Sequence, residues 1–177
     1  MKKMDQKMMK KTVTKIAHVL NVFVLGAAST VVLTHMQDAR AQDYIQNVSE
    51  EQIHCLVQNI YFEARNQSNV GRKAVAWVTL NRVESDRYPD TICEVVWQDK
   101  QFSWTHDGLP DTPSQNVLEQ KAWQDAQYLA QDVLLEKFNG AFDPTLGAIM
   151  YHADYVEPYW TASYQKTTQI EKHVFYN

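Results

Sequence analysis

The chain has 177 residues, with 21 Asp/Glu against 17 Lys/Arg and two cysteines. The charge is unevenly spread: residues 1–41 hold seven Lys/Arg and two acids, whereas residues 42–177 hold ten basic and nineteen acidic side chains. A body this acidic is a poor match for a phosphate backbone, which argues against nucleic acid as a partner, and its length suits one domain.

The basic start runs into an apolar stretch from Val19 to Leu33, then a polar segment ending Asp38-Ala39-Arg40-Ala41-Gln42. Ala39-x-Ala41 is a small-x-small pattern of the kind signal peptidase cuts. The apolar stretch includes Asn21, Gly26, Ser29 and Thr30 and falls short of the roughly 20 residues that span a bilayer comfortably. The expected organisation is an export signal over residues 1–41, cleaved after Ala41 or kept as a signal-anchor, followed by one domain over 42–177. Such a chain is exported to the periplasm, envelope or exterior and meets a membrane only through its N-terminal segment.

Asp43–Val48 reads as an extended lead-in. Ser49-Glu50-Glu51-Gln52 opens a helix, with Ser49 as N-cap and Gln52 completing a capping box. Apolar residues recur at Ile53, Leu56, Val57, Ile60, Tyr61 and Ala64, the stripe of an amphipathic helix. Asn66-Gln67-Ser68-Asn69 ends it near Arg65. Glu63 falls about 60° from the stripe, in the last turn, where partial desolvation and the negative end of the helix dipole both disfavour a charged carboxylate. The competing expectation is a solvated Glu63 paired with Arg65 or Arg72.

A second helix is predicted over 70–83, with Val70, Ala74, Trp77, Val78 and Leu80 on its apolar side and Arg72, Lys73, Asn81 and Arg82 on its polar side. Thr91 to Trp97 suits a strand or a short helix. Gln98 to Pro113 has no periodicity but is rich in Trp, Phe, Gly, Pro and Asp, the composition of a binding loop. Thr112, Pro113 and Gln115 predict the start of a third helix. Its stripe runs from Ala122 to Phe138 and Asn139-Gly140 stops it. Gly147 to His152 reads as extended, and an aromatic tail closes with His173-Val174-Phe175-Tyr176.

Two cysteines in an exported chain suggest one disulfide, Cys55–Cys93, with two buried free thiols as the alternative. Neither cysteine sits in a helix-start context that would activate a nucleophile. The histidines show no metal-ligand spacing, and there is no Gly-rich phosphate loop and no GxSxG elbow. No metal or cofactor is expected.

Cys55-Leu56-Val57-Gln58-Asn59-Ile60-Tyr61-Phe62-Glu63-Ala64-Arg65 and Val75-Ala76-Trp77-Val78-Thr79-Leu80-Asn81-Arg82-Val83 resemble the cell-wall hydrolase family of the SleB/CwlJ type. So do Tyr88 to Val96, Gln101-Phe102-Ser103-Trp104, Gly147 to His152 and His173 to Tyr176. The resemblance covers nearly all of residues 53–177 in order. It implies an α+β, mainly α, lysozyme-like single domain, with a helical lobe, a small β-containing lobe and a glycan groove. It also implies cleavage of the β-1,4 bond between N-acetylmuramic acid and N-acetylglucosamine in peptidoglycan, with Glu63 as the catalytic acid.

Family members commonly read Glu-Ala-Arg-Gly-Glu, but this chain has Asn66-Gln67 after Arg65. A second acid at that position is therefore absent, which favours a single-Glu lytic transglycosylase over a hydrolytic muramidase, with Asp107 as the stand-in for the latter. Phe102, Trp104, Tyr151 and Trp160 are candidates to flank the sugars, or to pack the core. Gln101, Ser103 and His152 are candidates to bond the glycan or hold Glu63, and Tyr61 is placed beside them. Arg65 is a candidate for an anionic substrate group, or for a structural ion pair. The expected partner of the monomer is the peptidoglycan glycan strand. A non-catalytic wall-binding module would need the aromatics but not Glu63, and a wall peptidase or amidase would need a metal or Cys/His set.

Overall fold

The computed structural model describes Met36 and residues 39–177. The chain divides into two units, Met1–Asp43 and Tyr44–Asn177; every helix and strand named below belongs to the second. The charged start and apolar stretch of the expected leader lie outside the described residues, and residues 39–41 at its end are helical. No helix among the described residues is long and apolar enough to cross a membrane.

Helix α1 is Glu50–Ala64. Ser49 Oγ accepts from the Gln52 backbone N–H at 3.3 Å, as expected. The Gln52 side chain, however, does not complete a capping box on Ser49; its carbonyl accepts from Cys93 N at 3.0 Å and ties α1 to the next short helix. The expected extended lead-in is also helical: residues 44–47 continue a turn in which Val48 N bonds Tyr44 O at 3.1 Å. Tyr44 stacks on Phe138 with ring centroids 4.6 Å apart, and that burial overrides the weak local preference.

The second half of α1 is buried on every side, Gln58 and Asn59 included. It is the central rod of the helical lobe, packed by α2 (Asn69–Val83), α3 (Ile92–Val96) and α4 (Val117–Phe138). Its two buried amides are held: Asn59 donates to Thr79 Oγ1 at 2.7 Å, and Gln58 donates to Asp111 O at 3.1 Å. Thr91 caps α3, so the 91–97 segment resolves as helix and not strand. The disulfide Cys55–Cys93 is present, with Cα atoms 5.2 Å apart across 38 residues of chain.

Helix α4 starts later than its sequence signals suggest. Asn116 is the N-cap, its Oδ1 accepting from Leu118 N at 2.8 Å. Thr112, Pro113 and Gln115 remain outside the helix, because Gln58 holds Asp111 O and Gln120 Nε2 holds Ser114 O at 2.8 Å. The loop is thus fixed along the end of α1 before the chain can turn helical. The buried residues Ala126, Leu129, Ala130, Val133 and Leu134 follow the expected stripe. Gly140, at φ +69°, ends α4 in the left-handed region.

A three-stranded antiparallel sheet, β1 (Met150–Ala153), β2 (Lys166–Ile170) and β3 (His173–Tyr176), has the order β1-β3-β2. Tyr151 pairs with Phe175 and His152 with Val174. Helix α2 joins the two lobes, since Trp77 and Leu80 belong to the helical core while Ala74 and Val78 pack with Ala148 and fully buried Phe175. Burying a side chain the size of Phe175 contributes about 2–3 kcal/mol.

Polar pins at the end of α2 position β1. Asn81 Nδ2 donates to Asp143 Oδ2 at 2.8 Å and to Ala148 O at 3.0 Å, and Arg82 Nε donates to Ile149 O at 2.7 Å. At the other end of α2, Glu171 in the β2–β3 turn accepts from Ser68 N at 3.2 Å. A Cβ at Gly71 would come within 2.7 Å of that carboxylate and 3.0 Å of Gln67 Cβ, so a larger residue there would displace the Glu171 side chain from its bond to Ser68 N.

The expected polar placement of Arg82 is overturned: it is 4 % exposed. Its guanidinium lies between the rings of Tyr88 and Phe102, at 5.2 and 5.4 Å. Periodicity assigned a helix face, but Tyr88, Phe102 and the segment leading into β1 cover Arg82.

Closing a loop of this length by a disulfide contributes about 4 kcal/mol in the chain-entropy picture. Replacing both Cys55 and Cys93 by Ala should lower stability by roughly 3–4 kcal/mol, read as a lower urea midpoint. An unchanged midpoint would assign the bridge no stabilising role.

Candidate active site

Glu63 sits in the last turn of α1, half-buried, with its side chain turned towards the sheet. Tyr151, on β1 and 88 residues away in sequence, donates its hydroxyl proton to Glu63 Oε2 at 2.9 Å. Neither expected arginine partners the carboxyl. Arg65 Nε faces Glu119 Oε2 at 3.4 Å; Arg72 faces Asp125 at 3.8 Å and donates to Arg65 O at 2.6 Å. The solvated, ion-paired alternative for Glu63 is therefore not what the fold builds.

Burial raises the Glu63 pKa above the ordinary carboxyl range, and the Tyr151 hydrogen bond and the positive charge of Arg82 only partly offset it. Tyr151 itself is pushed well up, first by burial and then by the charge of Glu63. It therefore remains a phenol and a donor at all physiological pH. The pair is a protonatable carboxyl held by a neutral hydroxyl, the arrangement a general acid needs.

Tyr151 is fixed from behind. Its ring packs edge-on to His173, centroids 5.3 Å apart, and against Phe175 at 5.8 Å. Burial depresses the His173 pKa. Tyr151 thus holds Glu63, the role the sequence offered to Gln101, Ser103 and His152. His152 bonds Ala153 O through Nδ1 at 2.8 Å and Tyr176 Oη through Nε2 at 2.9 Å. With Nδ1 donating to a carbonyl, a neutral His152 accepts from Tyr176 at Nε2. It braces the sheet.

The other side of the α1 terminus opens on a cleft of about 650 Å³, walled by Tyr61, Phe62, Arg65, Trp104, Glu119 and the 107–115 segment. The carboxyl of Glu63 is not among its lining; the wall begins at the neighbouring Phe62. Phe62 stacks on Trp104 with centroids 4.7 Å apart. Glu119 organises the far wall, accepting from the Tyr61 hydroxyl and facing Arg65. Tyr61 is pushed up to about 12, by burial first and then by the Glu119 hydrogen bond. Asp107 lies in the same wall, its Oδ1 accepting from Leu109 N at 2.8 Å.

The candidates therefore separate into groups. Tyr61, Arg65 and Trp104 meet at the cleft, and Tyr151 meets Glu63. Phe102, 3 % exposed, packs beneath Arg82 and takes the core alternative left open for it. Trp104 is also buried, 6 % exposed, although it reaches the cleft wall. Trp160 packs edge-on to His152 and Tyr176. Gln101, half-buried, and Ser103, exposed, lie beside Trp104 on the same loop. Sequence reasoning missed Glu119 as the organiser of the cleft and Arg82 as a neighbour of Glu63. Both depend on long-range contacts that no local pattern encodes.

Comparison with known proteins agrees with this architecture. Residues 66–176 match the family model described as Cell Wall Hydrolase; the matched span begins three residues after Glu63. The spore cortex-lytic enzyme of Oceanobacillus iheyensis is 30% identical over 131 residues, 73% of this chain and 43% of that one. That of Halalkalibacterium halodurans is 32% identical over 131 residues, 73% of this chain and 36% of the relative. This chain thus spans less than half the length of the curated relatives it matches.

Two solved structures also resemble it. The catalytic domain of the germination-specific lytic transglycosylase SleB from Bacillus anthracis aligns with a TM-score of 0.51 at 28% identity, over 74% of this chain and 98% of that one. The catalytic domain of the Bacillus cereus SleB protein aligns with a TM-score of 0.53 at 29% identity, over 74% and 94% respectively. With its helical lobe, its three-stranded sheet and the family match across most of its folded unit, the chain belongs to the cell wall hydrolase family, of the SleB type.

Proposed function

We propose that this chain is a peptidoglycan-cleaving lytic transglycosylase that breaks the β-1,4 bond between N-acetylmuramic acid and N-acetylglucosamine. Glu63 serves first as acid and then as base. The observation that carries the reading is the half-buried Glu63 carboxyl with a hydrogen bond from neutral Tyr151. The likeness to the catalytic domain of the germination-specific lytic transglycosylase SleB supports it.

Tyr151 occupies Oε2, so the transferable proton sits on Oε1. Glu63 gives that proton to the glycosidic oxygen as the C1–O bond breaks and positive charge develops at the sugar ring. The muramic 6-hydroxyl oxygen then bonds to C1, and its proton goes to Glu63 Oε1. The enzyme returns to its starting state, no water is consumed, and the product carries a 1,6-anhydro ring. The charge that acts on Glu63 is that of Arg82, and its hydrogen-bond partner is the neutral Tyr151; neither is a carboxylate. That suits a route needing one protein carboxylate, whereas hydrolysis uses two.

In this reading the cleft beside Phe62 and Trp104 receives the glycan strand. Aromatic faces suit sugar C–H surfaces, and Arg65 and Glu119 supply polar recognition. Residues 1–41 export the protein to the envelope, where it works as a monomer.

Digestion of purified peptidoglycan, followed by mass spectrometry of the fragments, tests the reading. The wild type should release anhydro-muropeptides, and Glu63→Gln should be slower by about 10²–10⁴-fold. Reducing ends without the anhydro mass shift would make the enzyme a hydrolase. Full activity in the variant would remove Glu63 from the chemistry.

The same substitution has a predicted effect on stability. A carboxyl whose folded pKa lies above its unfolded value binds its proton more tightly in the native state. Its stabilising contribution is complete below the ordinary glutamate pKa and is lost as pH rises through the folded value. Glutamine suffers no such loss and can still accept from Tyr151. Glu63→Gln should therefore gain stability relative to wild type as pH rises from about 4 to 8, read from urea midpoints across that range. A gap that stays constant with pH would contradict the raised pKa.

A further inference from the structure

Arg82 is the second-to-last residue of α2 and is buried, 4 % exposed. Burying a cation is costly unless its donors and its charge are answered. One donor is answered: Nε bonds Ile149 O at 2.7 Å, two residues before Tyr151 on the segment leading into β1. The rings of Tyr88 and Phe102 cover the guanidinium on its flanks. Its Nη1 has no hydrogen-bond partner although it is buried. An unpaired donor on a buried cation destabilises the fold, and nothing in helix or core packing demands it. A neutral side chain that kept the bond to Ile149 O would fill the same space between two aromatic rings without burying a charge.

The charge has a specific destination. Arg82 acts on both Glu63 and Tyr151, in each case favouring the ionised form. Tyr151 of β1 bonds Glu63, the charge of Arg82 of α2 acts on it without a direct ion pair, and behind Tyr151 lies His173 of β3. Burial favours the protonated form of Glu63, which suits the first half of the reaction but opposes the second. Once the proton has gone to the leaving oxygen, a carboxylate must persist in a half-buried site until the 6-hydroxyl delivers a new proton.

We propose that Arg82 is a positioning residue for this reaction: its buried guanidinium stabilises Glu63 in the carboxylate form while the proton is away, and its Nε–H fixes the segment that carries Tyr151. The inference rests on the transglycosylase reading of Glu63. It also accounts for the unanswered Nη1 as a charge kept for the moment when Glu63 becomes negative. The guanidinium cannot lose its own proton to the reaction, so it supplies charge without competing as an acid.

Peptidoglycan cleavage by Arg82→Lys and Arg82→Gln, measured as kcat/KM against pH, tests the proposal, with folding checked by circular dichroism and thermal melts. Lysine keeps the charge, and glutamine keeps an N–H for Ile149 but not the charge. Activity should fall at high pH as Glu63 loses the proton it must donate. In Arg82→Gln this alkaline limb should move up by about one pH unit or more, since the opposing charge is gone. Its kcat should drop on the order of tenfold to a hundredfold with KM within about twofold. Arg82→Lys should keep the wild-type limb. If both variants lose activity with the limb unmoved, or if neither folds, Arg82 is scaffold alone and the proposal is overturned. A wild type that releases no fragments in the same assay would instead refute the functional reading on which it rests.

Discussion

The hydrogen bond from Tyr151 to Glu63 joins the two lobes at the point where the chemistry is assigned. Glu63 belongs to the central helix and Tyr151 to the first strand, and each is positioned by separate machinery. The helix is held at its far end by the Cys55–Cys93 disulfide and by Gln52 on Cys93 N. The strand is held by Asn81 and Arg82 on the carbonyls of Ala148 and Ile149, and by its pairing with buried Phe175. Loosening either side would let water reach the carboxyl, and its pKa would fall back towards the ordinary range. The scaffold therefore biases the Glu63 carboxyl towards its protonated form as well as giving the site a shape.

That arrangement carries a stability cost, concentrated around the site. A half-buried carboxyl, a buried arginine with an unpaired donor and a buried His173 whose Nδ1 lacks a partner all lie within or next to one cluster. Elsewhere the core is ordinary: apolar faces of α1, α2 and α4, with buried amides and hydroxyls such as Asn59 and Thr79 bonded to one another. Rules of burial broken at one place and obeyed around it are what a functional site looks like in a folded chain.

Much of this was legible in the sequence. Helix α1, its Ser49 cap, the stripe of α4 and its Gly140 stop all follow from period and capping chemistry. The disulfide followed from the cysteine count and the expectation of export, and Glu63 stood out by its last-turn position and by the family motif. What failed to read was long-range. Thr112-Pro113 carries good helix-start chemistry, yet Gln58, more than fifty residues earlier, holds the neighbouring Asp111 carbonyl and delays the helix. Arg82 lies on a nominally polar face that Tyr88 and Phe102 cover. Tyr151 and His152 are adjacent and equally plausible, but β alternation points them to opposite sides, one towards Glu63 and the other towards Tyr176.

The central claim is that Glu63 carries a proton under conditions where an ordinary glutamate does not. Its most direct test is an NMR pH titration of the protein carrying ¹³C-labelled glutamate, with the Glu63 carboxyl signal assigned by its loss in Glu63→Gln. The account predicts a midpoint clearly above the ordinary glutamate value of about 4.3, with the other exposed glutamates of the same sample serving as internal reference. A Glu63 midpoint at or below theirs would mean that the carboxyl is charged throughout the working range, and the acid role assigned to it would fall.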